Sequence, residues 1–165
     1  MRQLILIVHN VRSAHNVGSL LRTAEGLGLQ EVILSGYTPY PATRNDERLP
    51  HIVQKLTKQI DKTALGSTTS LHWSHEPSIE QVISKLKHED FFIAALEQAQ
   101  GSMPLPKFQP PDCLAIVVGN EVEGLDPETM ALCDQPIEIP MFGKKESFNV
   151  VQAAAMALYR CRFTS

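Results

Sequence analysis

IEIPMFGKKESFNVVQAAAMALYR, residues 137–160, changes character twice along its length. A strand-like run ends at Ile139-Pro140, a polar loop through Gly143, Lys144 and Lys145 follows, and an almost wholly apolar helix begins at Phe148 or Asn149. Ser147 is the expected N-cap of that helix, because a hydroxyl before the first turn accepts one of its unpaired N–H groups. Val150, Val151, Ala153, Ala154, Ala155, Met156, Ala157 and Leu158 leave the helix apolar nearly all round. It therefore needs cover on several sides, from deep burial in one domain or from a subunit interface.

This segment has to be read together with IVVGNEVEGLDPE, residues 116–128. A buried strand ends there at Gly119, which sets Asn120, Glu121 and Glu123 just beyond its carboxyl end, the place where open α/β sheets bind ligands. Gly124 supplies a turn conformation closed to other residues, and Asp126-Pro127 reads as an N-cap followed by proline at the first helical position. The competing reading is an ordinary strand–turn–helix with solvated acids.

Aliphatic runs recur at Leu4–Val8, Glu31–Leu34, Phe91–Leu96, Leu114–Val118 and Pro136–Ile139, with helical patterns between most of them. That alternation predicts an α/β fold, a mainly parallel sheet flanked by helices. Val17, Leu20, Leu21, Ala24 and Leu27 fall at helical spacing after Ser13 or His15, with Gly26 and Gly28 as stop signals. Ile79, Val82, Ile83 and Leu86 mark a second amphipathic helix. The proline-containing stretch between Gly36 and Pro50 reads as a functional or mobile loop, and Gly101–Asp112 as an extended connector.

The chain of 165 residues, 43% hydrophobic and 20% charged, suits one domain over residues 1–165 with a single sizeable core. MRQLILIV is too short an apolar run for a signal peptide, and no window reaches the roughly 20 apolar residues of a membrane span, so a cytoplasmic protein is expected. Cys113, Cys133 and Cys161 are widely spaced and read as reduced thiols. A net charge of −3 argues against a protein that coats nucleic acid through phosphate neutralisation alone. No metal is expected: His72 and His75 would point to opposite faces of one strand and lack a third ligand. No GxGxxG follows a strand, no GxxxxGK[ST] occurs, and Ser147 has no GxSxG elbow.

NVRSAHNVGSLLRTAEGLG, residues 10–28, puts Gly18 and Arg22 one helical turn apart on one face. A glycine inside a helix costs about 0.5–1 kcal/mol relative to alanine and so asks for a reason. Either the missing side chain admits a phosphate or ribose beside the guanidinium, or it only lets another helix pack close.

Taken together, NVGSLLRTA, VVGNEVEGL and the opening segment, in that order, resemble the three motifs of the SPOUT superfamily of methyltransferases, in particular its TrmH (SpoU) class of RNA 2′-O-ribose methyltransferases. KTALGS, residues 62–67, is also similar to family sequence. The resemblance implies a carboxyl-terminal trefoil knot and S-adenosylmethionine as cofactor, with Leu96, Gly119, Ile139, Met141, Ser147 and Phe148 lining its pocket. Phe148 stands where the family usually has leucine. Asn16, Arg22, Glu121, Ser147 and Asn149 would form the catalytic group, with Ser147 and Asn149 positioning substrate and cofactor. The family often assigns Arg22's position as the base that removes the 2′-hydroxyl proton. Because arginine titrates only above about pH 12, a cationic Arg22, held by Glu121, that binds phosphate and orients the hydroxyl is the alternative. A homodimer is implied, with Arg12, Arg44, Arg48, Lys144 and Lys145 completing a surface for transfer or ribosomal RNA. With 165 residues read as one catalytic domain, no separate RNA-binding domain is expected beside it. Two other classes stand beside this one: a noncatalytic RNA- or cofactor-binding adaptor, and a small-molecule enzyme with a nucleotide cofactor.

Overall fold

The structure, a computed structural model, describes residues 1–164. Its elements run β1 (Gln3–His9), α1 (Ala14–Gly26), β2 (Glu31–Ser35), α2 (Pro50–Ala64), α3 (Ser67–Ser70), β3 (Trp73–Glu76), α4 (Ile79–His88), β4 (Phe92–Leu96), β5 (Met103–Pro104), β6 (Cys113–Val118), α5 (Pro127–Leu132), β7 (Gln135–Glu138) and α6 (Val150–Phe163). The strands form one sheet in the order β3-β2-β1-β6-β4-β7-β5, and every pairing is parallel.

Both faces of that sheet are covered, as a parallel sheet requires. Side chains alternate along β1: Leu4, Leu6 and Val8 pack with Val17, Leu20 and Leu21 of α1, Ile60 of α2 and Leu158 of α6, whereas Ile5 and Ile7 pack with Val82, Ile83 and Leu86 of α4. Each such aliphatic side chain contributes about 1.5–3 kcal/mol by leaving water. Local signals set the helix starts. Ser13 Oγ accepts the Asn16 N–H at 3.2 Å, Ser78 Oγ the Gln81 N–H at 3.2 Å, and Asp126 Oδ1 the Thr129 N–H at 2.8 Å with Pro127 next in line.

Three expectations need correction. The N-cap of α6 is Asn149, whose Oδ1 accepts the Val151 N–H at 2.8 Å, so the helix starts at Val150 and Ser147 stays in the loop before it. The 36–50 stretch, read as either functional or mobile, is a fastened loop, which corrects only the second of those alternatives. Arg48 donates to the carbonyls of Tyr40 and Pro41, both at 3.0 Å, pairs with Asp46 at 2.6 Å and lies 3.5 Å above the Tyr40 ring centroid. The hydrogen bonds from Arg48 hold the Asp46 carboxyl well below the usual carboxylate range. The connector Gly101–Asp112 holds β5 and a single 3-10 turn, Leu105–Lys107, because Leu105 and Phe108 are drawn into the core.

Gly18 settles its own question. A Cβ there would lie 2.2 Å from both the Ile60 carbonyl oxygen and Thr63 Oγ1, so the last turns of α2 fill the space and leave no room for a ligand. The three cysteines are free, and burial pushes the thiols of Cys133 and Cys161 up to about 11, which makes both unreactive. Among the described residues, no helix is long and apolar enough to cross a membrane.

Candidate functional site

Three neighbouring strands, β6, β4 and β7, end on the same side of the sheet, and the chain after each contributes one wall of a cavity. After β6 the chain makes a tight turn over 120–124. The Asn120 N–H donates to the Gly124 carbonyl at 3.2 Å, the Gly124 N–H returns to the Asn120 carbonyl at 3.0 Å, and Asn120 Oδ1 accepts the N–H groups of Val122 and Glu123, both at 2.9 Å. The turn admits no added atoms on its inner side. A Cβ on Gly119 would sit 2.7 Å from the Gly124 carbonyl, and Gly124, at φ +70°, is left-handed and faces the Glu97 carboxylate. Glu97, just past β4, accepts the Leu125 N–H at 3.0 Å and so ties a second strand end to the turn.

Glu121 joins the turn to α1. Its carboxylate accepts the backbone N–H groups of Arg12 at 2.9 Å and Ser13 at 3.0 Å and the side-chain amide of Asn16 at 3.0 Å. It thereby satisfies N–H groups at the start of the helix, where the macrodipole also favours an anion. Burial raises its pKa, but these hydrogen bonds outweigh burial and hold it below the ordinary glutamate value.

The cavity holds about 180 Å³, smaller than the roughly 300–1,000 Å³ of small-molecule sites, and it opens to solvent. Leu96, Gly119, Ile139, Ser147 and Phe148, which the resemblance places around a cofactor, line it, and so does Glu121. Three further acidic residues, Glu97, Glu123 and Glu138, also line it, alongside apolar Val150 and Ala153. Gln98 Nε2 donates to the Glu146 carbonyl at 2.9 Å, tying the 139–149 loop to the chain just past β4. Asn120 and Glu123 line the cavity from the strand end where the sequence set them, whereas Glu97 and Glu138 carry no such mark, and the partner of Glu97, Leu125, is distant in sequence.

Met141 is absent from the lining, and Asn149 turns its side chain back to cap α6. Arg22 is also elsewhere, in a groove among α1, α2 and α6 with Lys62, Val151, Ala155 and Tyr159. Among the described residues no hydrogen bond or ion pair joins it to Glu121, which corrects the expectation that Glu121 holds it. The reason is helical geometry: six residues beyond Asn16 the helix has turned through about 240°, so Arg22 leaves from a different face. Arg12, Arg44, Lys144 and Lys145 are exposed, while Arg48 is committed to its own loop. His75 stacks on Tyr40 at 3.8 Å, and His72 lies 3.6 Å from Glu31. Among the described residues, no group of three or more His, Cys, Asp or Glu side chains is arranged to hold a metal ion.

Comparison with known proteins agrees with this fold. The chain is 32% identical over 162 residues to the Acinetobacter baylyi 23S rRNA (guanosine-2′-O-)-methyltransferase RlmB, covering 96% of this chain and 59% of that protein. It therefore spans about three fifths of the length of such relatives. Its fold matches the A. aeolicus TrmH/SpoU tRNA modifying enzyme with a TM-score of 0.80 at 24% identity, over 98% of this chain and 75% of that one. It also matches an AdoMet-bound rRNA methyltransferase from Sinorhizobium meliloti with a TM-score of 0.82 at 20% identity, over 100% and 59% of the two chains. The sequence model of the SpoU rRNA methylase family matches residues 3–159, which is nearly the whole chain. With the doubly covered parallel sheet and the cavity at its strand ends, that match makes this chain a member of the SpoU rRNA methylase family.

Proposed function

We propose that the chain transfers a methyl group from S-adenosylmethionine to a ribose 2′-hydroxyl of transfer or ribosomal RNA, and that residues 1–165 form one catalytic domain working in the cytoplasm. The observation that carries this reading is the cavity formed by the 120–124 turn and the 139–149 loop. Its lining suits the cofactor: the acidic residues Glu97, Glu123 and Glu138 set negative charge around the sulfonium and ammonium groups, and Leu96, Ile139 and Phe148 offer apolar surface to the adenine. When bound, the cofactor supplies an electrophilic methyl group. The chain's own residues then do the positioning. Glu121 fixes the 120–124 turn against α1, Ser147 stands at the cavity wall, and Asn149 sets where α6 begins. The names of the A. baylyi relative and the S. meliloti structure support both the reaction and the cofactor. Radiolabelled methyl transfer to RNA from cells lacking the gene, followed by nuclease digestion, should yield 2′-O-methylnucleosides. Label found only on bases would refute the reading.

A trefoil knot in the carboxyl-terminal segment belongs to the same proposal. It is supported by the return path of α6, which leaves β7 near one edge of the sheet and packs back on α1, β4, β6 and the Leu105–Lys107 turn. A homodimer is supported by the outer face of that helix, where Met156, Tyr159 and Phe163 remain 36%, 61% and 66% exposed beside the Arg22 groove. On this reading Arg22 acts across the interface, where its guanidinium holds a substrate phosphate and orients the 2′-hydroxyl. Arg22→Lys removes the bidentate fork and is expected to lower turnover by about 100-fold or more, with calorimetric affinity for S-adenosylmethionine unchanged. Unaltered turnover would rule out this role.

A further inference from the structure

A second cleft lies on the other side of the 120–124 turn, bounded by Arg12, Tyr37, Tyr40, His75 and Val122. Asn120, Val122 and Glu123 line both it and the cavity, so one turn of backbone separates the two spaces. We propose that this cleft holds the acceptor nucleotide, an unpaired base stacking on Tyr37 with its flanking phosphate against Arg12. The inference rests on reading the cavity as the methyl-donor site and names the residues that select and place the acceptor.

Tyr37 carries the argument. It is 59% exposed, yet it is fastened at both ends. Its N–H donates to Asn10 Oδ1 at 3.0 Å, and its phenolic oxygen accepts from Asn120 Nδ2 at 3.0 Å. The same Nδ2 donates to the Asn10 carbonyl at 3.1 Å, while Asn120 Oδ1 organises the turn facing the donor cavity. One amide thus fixes the ring relative to the donor wall. An exposed aromatic ring held in place before binding suits stacking, since little conformational freedom remains to be lost. Of the two arginines in the cleft, Arg48 is already paired with Asp46, whereas the exposed Arg12 side chain makes no ion pair among the described residues. Arg12 is therefore the cation open to a phosphate. An unpaired nucleotide fits better than a duplex, because a base can stack on the ring only when it is splayed out of its own stack.

The test compares wild type with Tyr37→Ala, Tyr37→Phe and Arg12→Ala, using RNA from cells lacking the gene as substrate and measuring cofactor affinity by calorimetry in each case. Tyr37→Ala is expected to raise the KM for RNA roughly 5- to 150-fold, the range of base–aromatic stacking, with cofactor affinity unchanged. Tyr37→Phe keeps the ring and most of the affinity. Arg12→Ala is expected to weaken RNA binding and reduce its salt dependence by about one phosphate contact. A Tyr37→Ala protein that methylates with wild-type KM overturns the inference and leaves the donor-site reading intact. Loss of cofactor affinity in Tyr37→Ala also overturns it, since Tyr37 would then only support the turn. Wild-type protein that neither binds S-adenosylmethionine nor methylates RNA defeats the donor-site reading and this inference with it.

Discussion

Glu121→Gln is expected to lower the rate of methyl transfer by about 100-fold, the cost typical of displacing a catalytic constellation by about an ångström. The carboxylate is acceptor-only and meets three donors, the N–H groups of Arg12 and Ser13 and the amide of Asn16. Glutamine keeps one oxygen but turns an NH₂ group toward at least one of those donors. The tie between the turn that walls the cavity and the first turn of α1 then loosens, and a group left unsatisfied costs about 1–3 kcal/mol. Single-turnover methyl transfer together with urea denaturation separates the two effects. An unchanged rate in a destabilised variant would mean that the tie serves only the fold.

The same carboxylate gives a pH dependence whose sign follows from its pKa. Glu121 titrates below its ordinary value of 4.5 in the folded chain. Its contribution to stability is therefore fully present above the unfolded pKa and disappears as pH falls through the folded one. Wild type should lose more of its urea midpoint than Glu121→Gln between about pH 5 and pH 3, the difference isolating this group from other carboxylates with lowered pKa values. Parallel loss in the two proteins would contradict the assignment.

Gly18→Ala is expected to destabilise the fold by about 3 kcal/mol, the upper end of ordinary overpacking penalties. The added methyl would meet the Ile60 carbonyl and Thr63 Oγ1 at 2.2 Å and the Ala64 nitrogen at 3.0 Å. Two of those three atoms are backbone, so relief requires α1 and α2 to move apart. Gly26→Ala is the matched control. Nothing lies within 4 Å of its Cβ and its φ is not positive, so a gain of about 0.4–1 kcal/mol is expected from the stiffer unfolded chain. Urea midpoints that shift the same way for both substitutions would refute the close helix contact.

The sheet was legible because its central strands are continuous aliphatic runs: Leu4–Val8 and Leu114–Val118 cannot lie at a surface. Short edge strands were not. Trp73–Glu76 and Met103–Pro104 are only partly buried and carry no such run, and their pairing with β2 and β7 depends on neighbours distant in sequence. Much of the cavity wall was legible, since Gly119 and Glu121 follow a strand and Ile139 and Ser147 flank the loop before an apolar helix. The position of Arg22 was not. Motif order says which residues serve one reaction, but not which face of α1 each leaves from, nor whether one chain or two must supply them. Arg48 was misread for a related reason: its charge is visible in sequence, while its pairing with Asp46 and Tyr40 is not.

Calorimetric titration of the intact chain with S-adenosylmethionine tests the central claim most directly, with Gly119→Val as the paired variant. One cofactor should bind per chain to wild type, and binding should vanish in the variant, where the new side chain meets the Gly124 backbone at 2.7 Å and collapses the turn. A folded wild-type protein that releases no heat, or a Gly119→Val protein that binds as tightly, would contradict a donor site between the 120–124 turn and the 139–149 loop.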